Sequence, residues 1–487
     1  MAELLAHLET LSNTHPAIRL LSDETQSLNA EALWHRVTTL SAWLSESGSR
    51  VLAVMLDNRV EWVLLDLAAR HAGICMVPVP LFFSPEQISH LIEQSGADLL
   101  VTEEAIVWPG EYAIDVPEFL SALRVVHLQA NTANSTDVSD VARISFTSGS
   151  TGRPKGVCLS MTNIERIAES LKMRLSPLGI ERHLATLPLA TLLENIAGVD
   201  VPLLSGAEVV LRRMSRLGFE GSSGFNPLRW AAAITEADPE SLILIPQLLQ
   251  ALLALTASGG VTADRIKFIA VGGGKVASQQ IEQAHALGLP VYEGYGLTEN
   301  ASVVAVNVPA QSRVGSVGRP FEHLELRFDV DGELYLRGDT LMLGYLGEPR
   351  RRAGEWLATG DIGYLDNDGY LYISGRRKNI FINSFGRNLS PEWVESEAIS
   401  IEGIDQIALI GDARPYNVAL IVSRAPDSIH SGIDQLNARL PDYARVKRWM
   451  LVEAPFSYEN GCLTANGRLQ RDRIQTRYRD AIEALYV

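Results

Sequence analysis

Short apolar segments alternate with segments of helical periodicity along the chain, and this alternation is the feature that most constrains the fold. Helical apolar spacing covers residues 31–45, 61–72 and 85–95. Strand candidates, which are short and apolar, occur between and after them at residues 51–56, 76–79, 98–102, 208–211, 266–271 and 291–293. Strands that helices cover on both faces are continuous apolar runs of this kind. The order therefore predicts an α/β protein with a parallel sheet covered by helices.

The pattern changes after about residue 310. Short strand candidates at residues 332–337 and 370–374 adjoin Gly/Asp turns, which predicts hairpins. A helix candidate then begins with Ser390 as N-cap and Pro391 at its first position. A chain of 487 residues is expected to form two or three domains. We therefore predict a large N-terminal part and a small α+β domain over about the last 110 residues.

Charge and apolar content limit the possible partners. The 58 acidic and 42 basic residues give a formal net charge of −16, which argues against a nucleic-acid or anionic-membrane surface. The longest apolar run, residues 242–257, contains Pro246 and two glutamines, so we predict a buried helix and no integral membrane segment.

Cysteine and histidine usage indicates neither a disulfide framework nor a metal centre. Three scattered cysteines, Cys75, Cys158 and Cys462, form no CxxC pair and fit a reducing compartment. The N-terminus has no continuous apolar stretch of the signal-peptide kind, so a cytoplasmic location is expected. His183 has no histidine or cysteine at ligand spacing, and a structural role is the simpler interpretation.

The segment from Ile144 to Val157 is the most informative one for chemistry. It is rich in glycine and hydroxyl residues, contains Arg153-Pro-Lys155 near its end, and has an apolar strand candidate on each side of its glycine-rich part. Uncovered backbone N–H groups, hydroxyls and two cations suit a polyphosphate held in a tight hairpin. The segment is not a Walker A loop, because Pro154 stands where that pattern needs glycine, and it lacks the G-x-S-x-G frame of serine hydrolases.

This segment resembles the phosphate-binding signature of the adenylate-forming superfamily, which includes acyl-CoA synthetases, peptide-synthetase adenylation domains and firefly-type luciferases. Residues 295–299 (YGLTE) and 359–361 (TGD) resemble two further signatures in the same order. The resemblance implies that the loop residues and Lys155 bind phosphates, with Thr151 and Glu299 near Mg²⁺. The loop residues are Thr147, Ser148, Gly149, Ser150, Thr151 and Gly152. It also implies that Tyr295, Gly296 and Thr298 hold adenine and that Asp361 holds the ribose hydroxyls.

The C-terminal part carries two further resemblances. Residues 375–391 resemble the hinge of the family, in which Arg376 would contact ribose or phosphate, Lys378 would lie at the pivot near 376–379, and Gly386 would line the thiol tunnel. Residues 463–471 resemble the signature that carries the adenylating lysine, and that position is Arg468 here. Arginine keeps a permanent charge but presents it as a planar fork, so a functional arginine and an altered adenylation step both stay open.

Two segments correspond to the acyl side of the family's site. Residues 187–195 resemble the family's LPLxH segment, with Thr191 in place of the usual histidine or aromatic residue and with Glu194 beside it. Residues 271–275 resemble the loop beside the acyl group, in which small residues leave room for a large substrate. These small residues are Gly272, Gly273 and Gly274.

The resemblance implies a fold of αβ-layered sheets with a β-barrel-like subdomain in residues 1–377, and a mobile α+β lid in residues 378–487. It implies an AMP-forming acid–thiol ligase that uses ATP, Mg²⁺ and CoA to activate a small-molecule carboxylic acid, with a fatty acid preferred. Transfer to the phosphopantetheine of an acyl carrier protein, and lactone formation, are alternatives within the family. A degenerate member that binds nucleotide with little turnover, and an ATPase or kinase, are the alternatives of another class.

Overall fold

The computed structural model describes residues 3–104, 108, 111–113, 115–128, 137–147, 154–220, 224–382, 388–464 and 467–487. The strands are β1 (Arg19–Ser22), β2 (Ser27–Asn29), β3 (Val51–Met55), β4 (Cys75–Pro78), β5 (Leu99–Thr102), β6 (Tyr112–Ala113), β7 (Arg124–His127), β8 (Arg143–Thr147), β9 (Lys155–Leu159), β10 (Arg182–Leu184), β11 (Glu208–Val210), β12 (Phe219–Glu220), β13 (Gly224–Phe225), β14 (Ser241–Leu244), β15 (Phe268–Val271), β16 (Val291–Tyr295), β17 (Ala305–Val306), β18 (Arg319–Pro320), β19 (Glu325–Phe328), β20 (Glu333–Arg337), β21 (Gly344–Tyr345), β22 (Leu357–Leu365), β23 (Leu371–Arg376), β24 (Phe381–Ile382), β25 (Asn388–Leu389), β26 (Gln406–Ile410), β27 (Asn417–Val422) and β28 (Val446–Leu451).

The helices are α1 (Glu3–Thr14), α2 (Ala30–Glu46), α3 (Val60–Ala72), α4 (Pro85–Ser95), α5 (Met161–Leu175), α6 (Val201–Leu204), α7 (Pro227–Ala237), α8 (Pro246–Ala257), α9 (Ser278–Ala286), α10 (Pro391–Ile399), α11 (Ile429–Arg439), α12 (Arg471–Arg477) and α13 (Arg479–Ala484). A π-helix (Glu194–Asp200) leads directly into α6.

Two large sheets form the N-terminal part. One has the strand order β18-β17-β16-β15-β14-β10-β11-β1-β2, and its strands from β16 to β1 run parallel. The other has the order β21-β9-β8-β4-β3-β5-β7-β6, with β8, β4, β3 and β5 parallel. The predicted α/β class is confirmed, since helices alternate with these parallel strands.

Burial of both faces explains the continuous apolar strands. In β3, Leu52 and Val54 lie in the core that helices α2 and α3 share with both sheets. Val51, Ala53 and Met55 point the other way, into the core beside α4. Every residue of β3 is therefore buried, and a polar residue in this strand would lose its hydration without a partner.

Local sequence signals determine where several helices begin. Helix α4 has the bounds predicted from the sequence, because the Ser84 hydroxyl and the Gln87 side chain form a reciprocal capping box ahead of Pro85. Helix α10 begins at Pro391 after Ser390, as predicted. The Ser390 hydroxyl, however, donates to the Glu392 carboxylate at 3.1 Å instead of accepting from a backbone N–H group.

The predicted single buried helix over residues 242–257 is wrong. Residues 241–244 form β14, which pairs in parallel with β10 and β15, and helix α8 begins only at Pro246. Proline has no N–H group and fits the first turn of a helix, so it separates the two elements. Periodicity alone cannot distinguish a short buried strand from a helix.

The remaining sheets are smaller. Strands β19, β20, β22 and β23 form an open four-stranded antiparallel sheet, so the subdomain that we expected to be barrel-like is not a closed barrel. Strands β26, β27 and β28 form the sheet of the C-terminal part, packed against α10 and α11 on one side and against α12 and α13 on the other. Within the described residues, no helix has the length and apolar character needed to cross a membrane.

We expect Trp230→Ala to destabilise the N-terminal part by about 3–5 kcal/mol, because a fully buried indole is replaced by a cavity. Urea unfolding followed by far-UV circular dichroism measures this change. Leu228→Ala on the same helix, where the side chain is 75% exposed, is the matched control and should alter stability by about 0.5 kcal/mol or less. Equal losses in the two variants would contradict this assignment of the core.

Candidate active site

Four parallel neighbouring strands bring together the segments that the sequence analysis singled out. Strands β10, β14, β15 and β16 are adjacent and parallel, so their carboxyl ends lie at one edge of the sheet. Residues 187–195 follow β10, the start of α8 follows β14, Gly272 to Gly274 follow β15, and residues 295–299 end β16. This edge is the usual position for a ligand site in an open α/β sheet.

Gly296 lies where two chain segments cross. A Cβ atom at this position would overlap the carbonyl oxygen of Ser302. The crossing also places Ala301 and Ser302 at φ values of 46° and 98°, which residues with a side chain seldom adopt. Glycine is therefore required here, because any side chain would separate the two segments.

Asp361 is the centre of a buried polar cluster. The Tyr295 hydroxyl donates to Asp361 Oδ2 at 2.5 Å, and Arg376 Nε lies 2.8 Å from Oδ1. Arg376 also donates to the Thr359 carbonyl oxygen at 3.1 Å. Asp361 and Arg376 face each other across strands β22 and β23, so the pair follows from strand register. Three of the predicted nucleotide contacts therefore meet at one carboxylate.

Burial controls the protonation of this cluster. Loss of hydration raises the pKa of Asp361 above its ordinary value, while Arg376, Tyr295 and Arg468 oppose that rise. The pKa of the Tyr295 phenol is raised as well, by burial and by the adjacent carboxylate, so Tyr295 acts as a hydrogen-bond donor. Both groups can present the donor and acceptor atoms that a ribose and a purine require.

Arg468, from the C-terminal part, reaches this edge of the sheet. Its guanidinium donates to the carbonyl oxygen of Gly273 at 2.9 Å, across 195 residues of sequence. Arg468 is exposed to solvent, and partial desolvation of its guanidinium together with the nearby charge of Arg376 lowers its pKa. The negative charges of Asp361 and Glu299 oppose that shift, so Arg468 lies within electrostatic range of the predicted ribose and Mg²⁺ residues.

Glu299 and Lys155 are connected through an aromatic residue that the sequence analysis did not identify. The Tyr345 hydroxyl donates to Glu299 Oε1 at 2.8 Å, and Lys155 Nζ lies 5.0 Å above the centre of the Tyr345 ring. Lys155 also forms a half-exposed ion pair with Glu348 at 3.4 Å. Thr298 and Glu299 lie in a short 3-10 turn after Tyr295. Tyr345 lies 46 residues from Glu299 along the chain, and no local spacing indicates that contact.

The glycine-rich segment begins and ends in a β-hairpin, as predicted. Strands β8 and β9 pair antiparallel, with Thr147 opposite Lys155. Five residues between these strands that we predicted to bind phosphate lie outside the described part of the chain: Ser148, Gly149, Ser150, Thr151 and Gly152. Gly386, the predicted thiol-tunnel residue, lies outside it as well. Lys378 is exposed in the turn that follows β23, where the Arg377 and Asn379 amides bond to Gly360 and Arg376.

Glu194 has a different position from the one expected of a pocket residue. Its side chain is fully buried, with Oε1 at 2.9 Å from His183 Nε2 and Oε2 accepting from the amides of Thr186 and Leu187. His183 in turn lies 2.9 Å from the Ser241 hydroxyl. The carboxylate is therefore closed to a substrate and holds the start of the residue 187–195 segment.

Thr191 is partly exposed on that segment, in a turn where its amide bonds to the Pro188 carbonyl at 2.8 Å. Asn58 fixes the same turn from outside, donating to the Leu187 carbonyl at 2.9 Å and accepting from the Leu189 amide at 2.8 Å. Asn58 was not predicted as a site residue, because its partners lie about 130 residues away.

The glycine loop that follows β15 is tightly bounded. Gly273 has φ +79°, which favours glycine, and a Cβ atom on Gly274 would lie 3.2 Å from the Pro246 ring. A Cβ atom on Gly272 would lie 3.3 Å from the Gly294 carbonyl oxygen. Glycine at these positions therefore permits close packing of three strand ends and leaves the Gly273 carbonyl open to Arg468.

Comparison with known families decides the identity of this arrangement. The profile of AMP-binding enzymes matches residues 8–346, and that of the AMP-binding enzyme C-terminal domain matches residues 378–487. The chain belongs to the AMP-binding enzyme family. The predicted membership of the adenylate-forming superfamily is confirmed, and so is the AMP-forming acid–thiol ligase type at the level of the family.

Curated relatives carry names of acid–CoA ligases. The long-chain-fatty-acid–CoA ligase FadD15 of Mycobacterium bovis is 24% identical, with 91% of this chain and 88% of the relative covered. The 2-succinylbenzoate–CoA ligase of Geobacillus kaustophilus is 26% identical, with 80% and 81% covered. These proteins are similar to the AMP-binding enzyme described here over most of its length.

Solved structures share the fold. The o-succinylbenzoate CoA synthetase of Bacillus subtilis in complex with its acyl-adenylate intermediate has a TM-score of 0.77 at 24% identity, covering 96% of this chain and 97% of that one. The anthranilate CoA ligase AuaEII in complex with anthranoyl-AMP has a TM-score of 0.78 at 19% identity, covering 99% and 98%. At these identities the likeness establishes the fold of the AMP-binding enzyme.

We expect Gly296→Ala to abolish nucleotide binding and to lower stability by about 3–5 kcal/mol, because the new methyl group overlaps the Ser302 carbonyl. Calorimetric titration with AMP and thermal unfolding measure the two effects. Gly260→Ala, at an exposed position with room for a methyl group, is the control and should leave both unchanged. Normal AMP affinity in Gly296→Ala would contradict the crossing.

We expect Tyr295→Phe to shift the acid limb of kcat/KM for ATP to higher pH. The phenol donates to the Asp361 carboxylate and so holds down a pKa that burial raises. Without that donor the pKa of Asp361 rises further, and the ionised acceptor is lost at a higher pH as the pH falls. Tyr335→Phe, on β20 away from this cluster, serves as the control. An unchanged acid limb would exclude Asp361 as the titrating group.

Proposed function

We propose that this enzyme joins a carboxylic acid to ATP, forming an acyl-adenylate with release of pyrophosphate, and then transfers the acyl group to the thiol of CoA. One observation carries the proposal. Arg468 of the C-terminal part lies against Gly273 on the acyl-side loop and close to Asp361 and Arg376 on the nucleotide side. A cation at that junction can contact a carboxylate and a phosphate together.

The charges suit the first half-reaction. A carboxylate oxygen attacks the α-phosphate, its bond to phosphorus forms, and the bond to the pyrophosphate oxygen breaks. Both reactants are anions, so fixed positive charge at the site lowers the barrier through positioning and electrostatic stabilisation. Lys155, Arg376 and Arg468 supply that charge from three parts of the chain.

The residues present fit Mg²⁺ bound through substrate phosphates. Within the described residues there is no cluster of three or more ligating side chains. Glu299 offers one carboxylate, held in place by Tyr345, and Mg²⁺ in nucleotide enzymes commonly uses one or two protein oxygens beside phosphates and water. Thr151 is the second proposed ligand. The ion would neutralise phosphate charge when bound.

The second half-reaction requires the thiol to reach the acyl carbon. The thiolate attacks the carbonyl of the mixed anhydride, and AMP leaves with the electron pair of the broken C–O bond. Arg468 occupies the acyl-side edge in this structure, so we infer that the lid rotates about residues 376–379 to admit the thiol. The domain limits at residues 377 and 378 belong to this proposal.

A fatty acid is the substrate that we favour. The acyl-side segments, residues 187–195 and 271–275, are rich in apolar and small residues, and their one cation, Lys275, donates to the Ile373 carbonyl oxygen at 3.1 Å. That composition suits a long apolar monocarboxylate better than an aryl dicarboxylate such as 2-succinylbenzoate. Three buried cysteines without disulfides support a reducing compartment, which agrees with a cytoplasmic enzyme.

The function is tested with purified enzyme, MgATP and a panel of acids, scored for AMP and pyrophosphate. The panel holds fatty acids of graded length, benzoates, 2-succinylbenzoate and amino acids, each with CoA, with a phosphopantetheinylated acyl carrier protein, or without acceptor. We expect fatty acids to release AMP and form the CoA thioester. Thioester formation on the acyl carrier protein alone would show that the carrier, and not CoA, is the acyl acceptor. ADP as the product would indicate a kinase or ATPase. Nucleotide binding without pyrophosphate release would indicate a degenerate member.

We expect Arg468→Ala to lower ATP–pyrophosphate exchange by about 10²–10³-fold, since one charged donor to the reacting groups is lost. Transfer from a preformed acyl-adenylate to CoA should change far less. Arg477→Ala, on the neighbouring helix α12, is the matched control and should retain exchange. Equal exchange rates in wild type and Arg468→Ala would remove Arg468 from the mechanism.

A further inference from the structure

The π-helix at residues 194–200 connects two parts of the site through fully buried polar side chains. A π-helix is rare and is frequently found at functional sites. Gly198 makes room for its polar contacts, because a Cβ atom there would overlap Glu194 Oε1 and approach His183 Nε2 to 2.7 Å. Glu194 and Asn195 are consecutive residues of this helix, yet their side chains reach different strands.

On one side the π-helix holds the acyl-side segment. Glu194 accepts from the Leu187 amide at 2.9 Å and lies 2.9 Å from His183 on β10. These contacts and those of Asn58 leave the turn from Leu187 to Thr191 few alternative positions.

On the other side the π-helix holds the strand that precedes the glycine-rich segment. Arg143, the first residue of β8, donates to Asn195 Oδ1 with one nitrogen of its guanidinium and to Asp66 Oδ1 with another. Asn195 Nδ2 in turn donates to Asp66 Oδ2 at 3.4 Å. One planar fork therefore connects β8, helix α3 and the π-helix.

Two further ion pairs, both made by Arg70, complete the network. Arg70 donates to Asp66 at 2.6 Å and to Asp200, the last π-helix residue, at 2.9 Å. The two arginines and two aspartates are all below 10% exposed, and their formal charges cancel. A buried pair of this kind stabilises little by itself, but it is costly to break and can impose one arrangement on its neighbours.

We propose that Arg143 and Asn195 are positioning residues for adenylate formation, which set the spacing between the nucleotide on the β8–β9 hairpin and the acid beside Thr191. This inference rests on the proposed function. Neither residue touches a substrate-facing surface, since both are 1% exposed. Arg143 acts through strand β8, to which it belongs, and Asn195 acts through the π-helix that holds residues 187–191. A nucleotide that tightens the hairpin must then also tighten residues 186–200.

Hydrogen–deuterium exchange of the whole enzyme tests this with a single probe, Mg²⁺ with α,β-methylene-ATP at saturation. In wild type we expect the nucleotide to slow amide exchange in peptides that cover residues 186–200 by about fivefold or more. Asn195→Leu keeps both Asp66 ion pairs but removes the direct link to Arg143, so the same peptides should respond to the nucleotide much less than in wild type. Calorimetry under the same conditions verifies that each variant is saturated with the nucleotide analogue.

Two further variants separate positioning from stability. Arg143→Lys keeps the charge beside Asp66 but replaces the planar fork, whose two nitrogens bond to Asp66 and Asn195, with a single ammonium nitrogen. It should reduce the response too, and it serves if Asn195→Leu does not fold. Asn417→Leu removes a comparably buried asparagine from the C-terminal sheet and should keep the wild-type response.

The outcomes are separable from those of the proposed function, because no acid is needed. Wild type that binds the nucleotide without slowed exchange at residues 186–200 would overturn the inference, as would an undiminished response in both Asn195→Leu and Arg143→Lys. Failure of the proposed function would appear instead as absent pyrophosphate release across the acid panel.

Discussion

The parallel alignment of β10, β14, β15 and β16 is the constraint on which the site depends. Each strand passes through the same sheet in the same direction, so each must end at the same edge. Segments that are up to about 100 residues apart along the chain are therefore neighbours in space, although no local sequence pattern indicates their contact. The glycines at 272–274 and at 296 follow from this convergence, because several chain segments share little space.

Polar groups at this edge are organised around Asp361. Burial of Asp361 favours its neutral acid form, whereas the Arg376 guanidinium and the Tyr295 hydroxyl each contact one carboxylate oxygen and favour the ionised form. The C-terminal part adds the charge of Arg468 at the same place, so the charge of the site depends on residues from both parts of the chain. A net charge of −16 is compatible with polyanionic ligands because these few cations act locally.

Behind the reacting edge, the chain uses buried ions where apolar residues would pack more simply. The Arg70, Arg143, Asp66 and Asp200 cluster carries no net charge and touches helix α3, strand β8 and the π-helix. An apolar core tolerates small shifts in packing, whereas hydrogen-bonded ions accept few geometries. The cluster therefore suits the task that we propose for it, which is to keep the β8–β9 hairpin and residues 187–191 at a fixed distance.

The sequence by itself determined the elements whose signals are local. The alternation of strands and helices, the β8–β9 hairpin, the start of α4 at its capping box and the family signatures were all readable, because each depends on neighbours within a few residues. Only the tertiary structure showed that a strand ends and helix α8 begins at Pro246, and that the Glu194 side chain is buried. It alone also showed the hydrogen bond from Arg468 to the Gly273 carbonyl and the one from Tyr345 to Glu299. Those features depend on contacts between residues that are far apart along the chain. Burial and strand register stabilise such contacts, and neither produces a recognisable spacing of residues in the sequence.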